Sequence, residues 1–238
     1  MKLSIIISAY NEAATIGTIL KRVQDAPVGN WEKEIIVVDD GSTDQTQEIV
    51  EDYLRTTKTT IRFLKHPVNQ GKGAAVRTGV ASSTGDAILI QDADLEYDPK
   101  DYPALLDPIE RDVADVVLGS RFLGQSHRVL FFWHMVGNKI VTLISNIATD
   151  LNLTDMMAGY KVFKSSAIKK IPLQSKGFDF EPEITVKMAK QGWRIYEVPV
   201  SYQGRTYAEG KKIRWWVIFS VIYALIKYTL ATPSVNRK

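Results

Sequence analysis

Asp92, Asp94 and Glu96 stand on alternate positions of the stretch IQDADLEYDP (90–99), behind the apolar run of residues 87–90. Alternate residues of an extended segment share a face, so Asp92 and Asp94 point the same way from a strand end. Like charges held that close repel. A hard divalent cation relieves the repulsion, and Mg2+ is commonly held by one or two carboxylates together with substrate phosphates. Glu96 could complete such a site or reach it through water. Asp98, directly ahead of Pro99, suits a turn or the cap of a helix over 101–110. An isolated DAD also reads as a solvated acidic turn; its place after a buried strand favours the cation.

Two further clusters could do related work. In VVDDGSTD (37–44), Ser42 or Thr43 is expected to cap the next helix, while Asp39 and Asp40 could accept hydrogen bonds from a nucleotide base or a ribose hydroxyl. In NQGKG (69–73), glycines allow close backbone approach, a helix N-terminus follows and Lys72 adds charge, as in a phosphate-contacting loop. The spacing is not that of a Walker motif.

The elements that must position these residues read as an α/β alternation. LSIIISA (3–9) and EIIVV (34–38) are strands buried on both faces, followed by helices over 12–24 and 43–54. IRFLKH (61–66), a helix over 72–82 and DAILIQ (86–91) continue the pattern, which implies a mainly parallel sheet covered on both sides. The polar clusters, SAYNE (8–12) among them, then meet on the rim formed by the carboxyl ends of the strands, where such sheets bind ligands. Beyond residue 110 the alternation loosens: strands over 114–122, 159–164 and 193–202, helices over 129–149, 180–192 and 213–230, and a basic loop at 204–212. Glu181 and Glu183 suit a solvated helix face, with Glu181 near enough to a Gly-Phe-Asp-Phe segment to touch a sugar or acceptor.

Composition narrows the classes. The chain of 238 residues is 45% hydrophobic and carries a net charge of +3, which suits one globular domain with an appendage. There are no cysteines, which excludes disulfides and thiolate chemistry, and only three scattered histidines. The N-terminus lacks a signal peptide's cleavage region, so the expected location is cytoplasmic. Basic residues cluster in one loop rather than along a helix, which speaks against nucleic acid.

The series SAYNE, VVDDGSTD, NQGKGAAVRTG, QDADLEYDP, GSRF, DMMAGYKVF and FDFEPEITVKMAKQGWRIYEVPVSY resembles family 2 glycosyltransferases of the GT-A fold, over roughly residues 3–212. Within them it is most similar to polyprenyl-phosphate (dolichyl-phosphate) mannose and glucose synthases. The resemblance implies a Rossmann-like, mainly parallel sheet with helices on both faces and apolar C-terminal helices. It divides the chain into a nucleotide-sugar-binding core over 1–170 and an acceptor-side segment over 171–238. Ser8, Tyr10 and Glu12, with Val38 and Asp40, would lie around the nucleotide. Lys72, Asp92, Ala93 and Asp94 would lie around its diphosphate, and Asp92, Asp94 and Glu96 around Mg2+ or Mn2+. Arg121, Arg128, Arg205 and Lys211 would contact the donor or acceptor phosphates, with Asp92, Asp94 and Arg205 carrying the catalysis. Ala9 departs from the residue common at its position, so base specificity does not carry over.

The implied reaction is inverting transfer of mannose or glucose from GDP-mannose or UDP-glucose to a polyprenyl phosphate at the cytoplasmic side of a membrane. A soluble or saccharide acceptor is the alternative. A lipid phosphate is substantially ionised near neutrality, with a second pKa of about 6, and needs no general base. A sugar nucleotidyltransferase would show a Gly-rich loop after the first strand, which SAYNEAA is not. The apolar stretches 129–136 and 215–226 are shorter than the roughly 20 residues that span a bilayer. Core or dimer-interface helices, helices lying in a membrane surface, and a span built from associated short helices all remain open, as does a homo-oligomer.

Overall fold

The computed structural model describes residues 1–57, 59–124, 126–129, 131–210 and 217–234. The first half is a βα alternation: β1 (Lys2–Ala9), α1 (Ile16–Asp25), β2 (Glu32–Asp39), α2 (Thr46–Thr56), β3 (Ile61–Lys65), α3 (Lys72–Ser82) and β4 (Ala87–Asp92). A single 3-10 turn, Pro99–Asp101, leads into α4 (Tyr102–Glu110). The Asp98 side chain accepts from the Lys100 amide ahead of that turn, the capping role its place before Pro99 suggests. Then follow β5 (Val116–Ser120), α5 (Phe132–Thr149), β6 (Lys161–Lys164), α6 (Ser165–Ile168), α7 (Phe180–Lys190), β7 (Ile195–Pro199) and α8 (Val217–Ala231).

The strands form one sheet in the order β3-β2-β1-β4-β6-β5-β7. β1 to β4 are mutually parallel, β7 runs parallel to β5, and β6 lies antiparallel between β4 and β5. Successive strand residues serve opposite faces. Ile5, Ile7, Ile35, Val37 and Leu89 join the core under α1, α2 and α4. Ile6, Ile36, Val38, Ile88 and Ile90 join the core under α3, α7 and α8. This two-sided burial is why the early strands read as unbroken apolar runs. The segment after residue 170 contributes α7, β7 and α8 to the same sheet and core.

The register fixes the rim: Ser8 lies opposite Asp92 on one side and Val38 on the other, and Ala9 opposite Asp39. The first two helices start later than the apolar spacing suggests, while α3 and α7 begin at the expected residues. Ile16 opens α1 after a turn in which the Thr15 and Ile16 amides both reach the Glu12 carbonyl. Asp44, not Ser42 or Thr43, holds the start of α2, accepting from the Thr46 amide at 3.0 Å. Ser42 instead accepts from the Asn11 amide and the Thr43 amide donates to the Asn11 side chain, tying the β1 and β2 loops together.

α3 crosses β1 at close range through Gly79, where an added Cβ would overlap Ile6 Cγ2 and lie 3.0 Å from Ile6 Cγ1. Gly79→Ala should therefore destabilise the chain, although alanine is the better helix former by about 1 kcal/mol. With so deep an overlap the overpacking lies in the upper part of the usual range, about 2–3 kcal/mol, and the net loss of about 1–2 kcal/mol should appear in a thermal melt as a Tm roughly 2–8 °C lower. An unchanged Tm would contradict the close packing of α3 on β1.

Candidate active site

Loops after β1, β2 and β4, the start of α3 and the chain around Arg205 enclose a cavity of about 740 Å³. Ser8, Tyr10, Glu12, Lys72, Asp92, Ala93 and Asp94 line one end. Residues of α5 and α8, among them Trp133, Val141, Val217 and Val221, line the other. Polar strand ends scattered over ninety residues of sequence thus meet apolar helices from the second half of the chain.

The two aspartates of the DxD stretch have different partners. Lys72 Nζ lies 2.7 Å from Asp92 Oδ1, 3.0 Å from its Oδ2 and 3.4 Å from Glu181 Oε1. Burial works against the charge of Lys72, but Asp92 and Glu181 outweigh it and push its pKa up. Asp94 faces Arg205, whose Nη2 is 3.3 Å away. Burial first, then the neighbouring Asp92 and Glu96 charges, push the Asp94 carboxyl up to about 7 against the pull of Arg205. A divalent cation fits this pair. Both donors are hard carboxylate oxygens, and the crowding that raises Asp94 is what such a cation would relieve. Among the described residues no three acidic or histidine side chains form a cage by themselves. The remaining ligands would have to come from a diphosphate.

Glu96 departs from the reading as a third cation partner. Its Oε2 accepts from the Tyr202 hydroxyl at 2.7 Å and its Oε1 from the Arg205 amide at 2.8 Å. Burial and Glu96 push the Tyr202 phenol up, so that hydroxyl keeps the proton it donates. Glu96 therefore pins the basic loop to the rim. The Arg205 guanidinium meets Glu12 at 3.3 Å as well as Asp94, while its Nε is buried without a hydrogen-bond partner.

The other expected contacts divide. Arg121 lines the cavity, but its guanidinium forks onto the buried Asp155, Nε to Oδ2 at 2.6 Å and Nη2 to Oδ1 at 2.8 Å. It also lies over the Tyr202 ring at 5.0 Å. Arg128 is outside the cavity lining and clamps Glu209 at 2.8 Å, bracing the loop from outside. Asp40 touches the cavity yet is only 3% exposed: its oxygens hold His66 at 2.6 Å and the Gln70 and Gly71 amides at 3.0 and 2.7 Å. These bonds shape the loop ahead of α3. Val38 is fully buried in the sheet core and does not line the cavity. Lys211 lies outside the described residues. Glu181 and Glu183 are buried on ion pairs with Lys161 and Lys187, not on a solvated face. Asp155 and Lys161 were not expected at all. Each is defined by a partner at least 20 residues away, and no local spacing announces that.

A model of the family described as glycosyl transferase family 2 matches residues 4–172. A dodecaprenyl-phosphate galacturonate synthase of Rhizobium johnstonii is 28% identical over 89% of this chain and 62% of its own length. The chain thus spans less than two-thirds of that relative. An undecaprenyl-phosphate mannosyltransferase of Micrococcus luteus is 31% identical over 89% of this chain and 87% of its own. Among solved structures, glucosyl-3-phosphoglycerate synthase of Mycobacterium tuberculosis, in complex with Mn2+, UDP and glucosyl-3-phosphoglycerate, superposes with a TM-score of 0.74 at 20% identity. That superposition covers 99% of this chain and 81% of the other. The shared fold is GT-A-like, and the family match runs from β1 through α6, over every strand end that builds the carboxylate side of the cavity. The chain belongs to glycosyl transferase family 2.

Proposed function

We propose that the chain is an inverting hexosyltransferase that moves mannose or glucose from a nucleotide-diphosphate sugar to a polyprenyl phosphate at a membrane surface. The observation that carries this reading is the cavity itself, which runs without a break from Asp92, Asp94 and Arg205 to the apolar helices α5 and α8. The outer faces of those helices expose Trp133, Leu143 and Ile147 on α5 and Phe219, Tyr223 and Leu230 on α8. Exposed apolar side chains on two helices that also line a polar cleft suit a lipid-bearing acceptor. No helix among the described residues is long and apolar enough to cross a membrane, so the reading is of contact with the surface, with residues 171–238 forming the acceptor side.

Asp92 and Asp94 would hold Mg2+ or Mn2+ with the donor's diphosphate, where the ion supplies Lewis-acid neutralisation of the leaving group. Arg205 adds a second cation, placed in advance by the Glu96 bond to its amide. Arg121, fixed on Asp155 and lining the same cavity, would add positive charge for an arriving acceptor phosphate. That phosphate attacks the anomeric carbon from the face opposite the diphosphate. Being ionised, it gives no proton to a base. Among the carboxylates that line the cavity, Glu12 is paired with Arg205, Glu96 with Tyr202 and Glu181 with Lys161.

A donor panel tests the reading. UDP-glucose, GDP-mannose and UDP-GlcNAc, each radiolabelled in the sugar, are incubated with the chain, Mn2+ and polyprenyl phosphate. Label should pass from one hexose donor into the organic phase. Label that passes to a soluble sugar phosphate or saccharide supplied in a parallel reaction, and not to the lipid, would overturn the lipid assignment.

A further inference from the structure

We infer that Glu181 is a positioning residue for the cation site and acts through Lys72 on Asp92. The inference rests on the reading of Asp92 and Asp94 as the site of the metal and diphosphate. Four side chains form a ladder of alternating charge that runs from the core to the cavity wall: the buried Lys161 and Glu181, then the partly exposed Lys72 and Asp92. Glu181 is 3% exposed and Lys161 wholly buried. Glu181 sits in the first turn of α7, where the helix dipole favours a carboxylate. Lys161 donates to its Oε2 and also to the Ala158 carbonyl. Its Oε1 is left for Lys72.

The ladder ends on Asp92, which is confined on both sides. Lys72 reaches both of its oxygens, at 2.7 and 3.0 Å. On the other side Gly159, two residues before Lys161, approaches so closely that a Cβ there would overlap Asp92 Oδ2. The carboxylate therefore has one orientation, set by the segment that also delivers Lys161. With Asp92 as its sole counter-ion, the Lys72 ammonium would hold that carboxylate more tightly against a competing cation. Glu181 shares the ammonium, and Asp92 keeps negative charge for a second cation. Groups that orient and tune a metal-binding carboxylate from behind commonly change metal affinity by about 10- to 100-fold.

The test is a double-mutant cycle read by Mn2+ electron paramagnetic resonance, with Mn2+ alone and with UDP or GDP, and independent of turnover. Glu181→Gln should weaken Mn2+ binding about tenfold in the wild-type background. In a Lys72→Met background the same change should cost less than twofold, because the residue through which Glu181 acts is gone. Equal losses in both backgrounds would mean that Glu181 acts on the ion directly through space, and would overturn the inference. No loss in the wild-type background would overturn it too, as would a Lys72→Met chain that binds no Mn2+, since a lysine sharing Asp92 with the ion cannot be required for it. Should Glu181→Gln fail to fold with Lys161 unpaired, Lys161→Met with Glu181→Gln restores the buried charge balance and carries the same comparison. A wild-type chain that binds no Mn2+ in any condition would instead reject the metal reading of Asp92 and Asp94.

Discussion

Asp94→Ala will abolish sugar transfer and leave the fold intact. Asp94→Asn, which keeps the shape, will lower kcat/KM by at least about 10³, since the ion this carboxylate would bind contributes several kcal/mol to neutralising the leaving group. The same substitution has a second consequence of opposite sign. In the folded chain without metal the Asp94 carboxyl holds its proton up to about 7, against an ordinary value of 3.8. Between those values the folded state binds more protons than the unfolded one. The stability Asp94 contributes is therefore full below about pH 4 and is lost as pH rises through 7. An asparagine never ionises, so at pH 8 and without metal Asp94→Asn should melt at a higher temperature than the wild type, and the gap should close at pH 4. Thermal melts at the two pH values with parallel transfer assays check both halves. Substantial metal-dependent activity in Asp94→Ala would end the metal assignment, and a lower Tm at pH 8 would show that Asp94 is not strained by its neighbours.

This opposition of stability and function explains why one part of the site was legible in the sequence and another was not. Asp92 and Asp94 break local rules in plain sight: two like charges so close behind a buried strand conflict with each other unless something distant relieves them. The strands that present them were legible for a related reason, since Ile5 to Ile7 and Ile35 to Val38 must satisfy a core on each side of the sheet. Partnerships formed by the fold left no such trace. Glu181 occupies the same kind of helical position as an exposed glutamate, and only the arrival of β6 beside β4 brings Lys161 under it. Asp40 looks like a ligand-facing carboxylate because it ends a strand at the rim. The fold also turns it onto His66 and the Gly71 amide, partners no local spacing announces. Arg128 sits in a basic neighbourhood, and Glu209 claims it from 81 residues away. Local spacing reports conflicts, and burial decides which of them are resolved inside the protein.

Arg205 is a conflict left only partly resolved, and its loss should cost about as much as a missing transition-state donor. Glu12, Asp94 and Glu96 surround its guanidinium at 3.3, 3.3 and 3.8 Å, so three carboxylates share one cation. A diphosphate with its metal would bring further charge of both signs to the same place, and the arginine is held where it can answer the anionic part. Arg205→Ala should therefore lower kcat by about 10²–10³ at saturating Mn2+. Arg205→Lys should recover part of that loss, because a point charge replaces the fork without its geometry. Glu96 provides the sharper test of how the arginine is placed. It reaches the Arg205 amide and the Tyr202 hydroxyl, so Glu96→Ala should lower kcat through a displaced loop. Combined with Arg205→Ala it should then add little, because both changes remove the same placed charge. If the two losses multiply instead, Glu96 acts on the metal or the donor in its own right, and the pinning role drawn from its hydrogen bonds is wrong. Steady-state kinetics on the two single variants and the double variant, with melting curves to show that each is folded, decide between these outcomes.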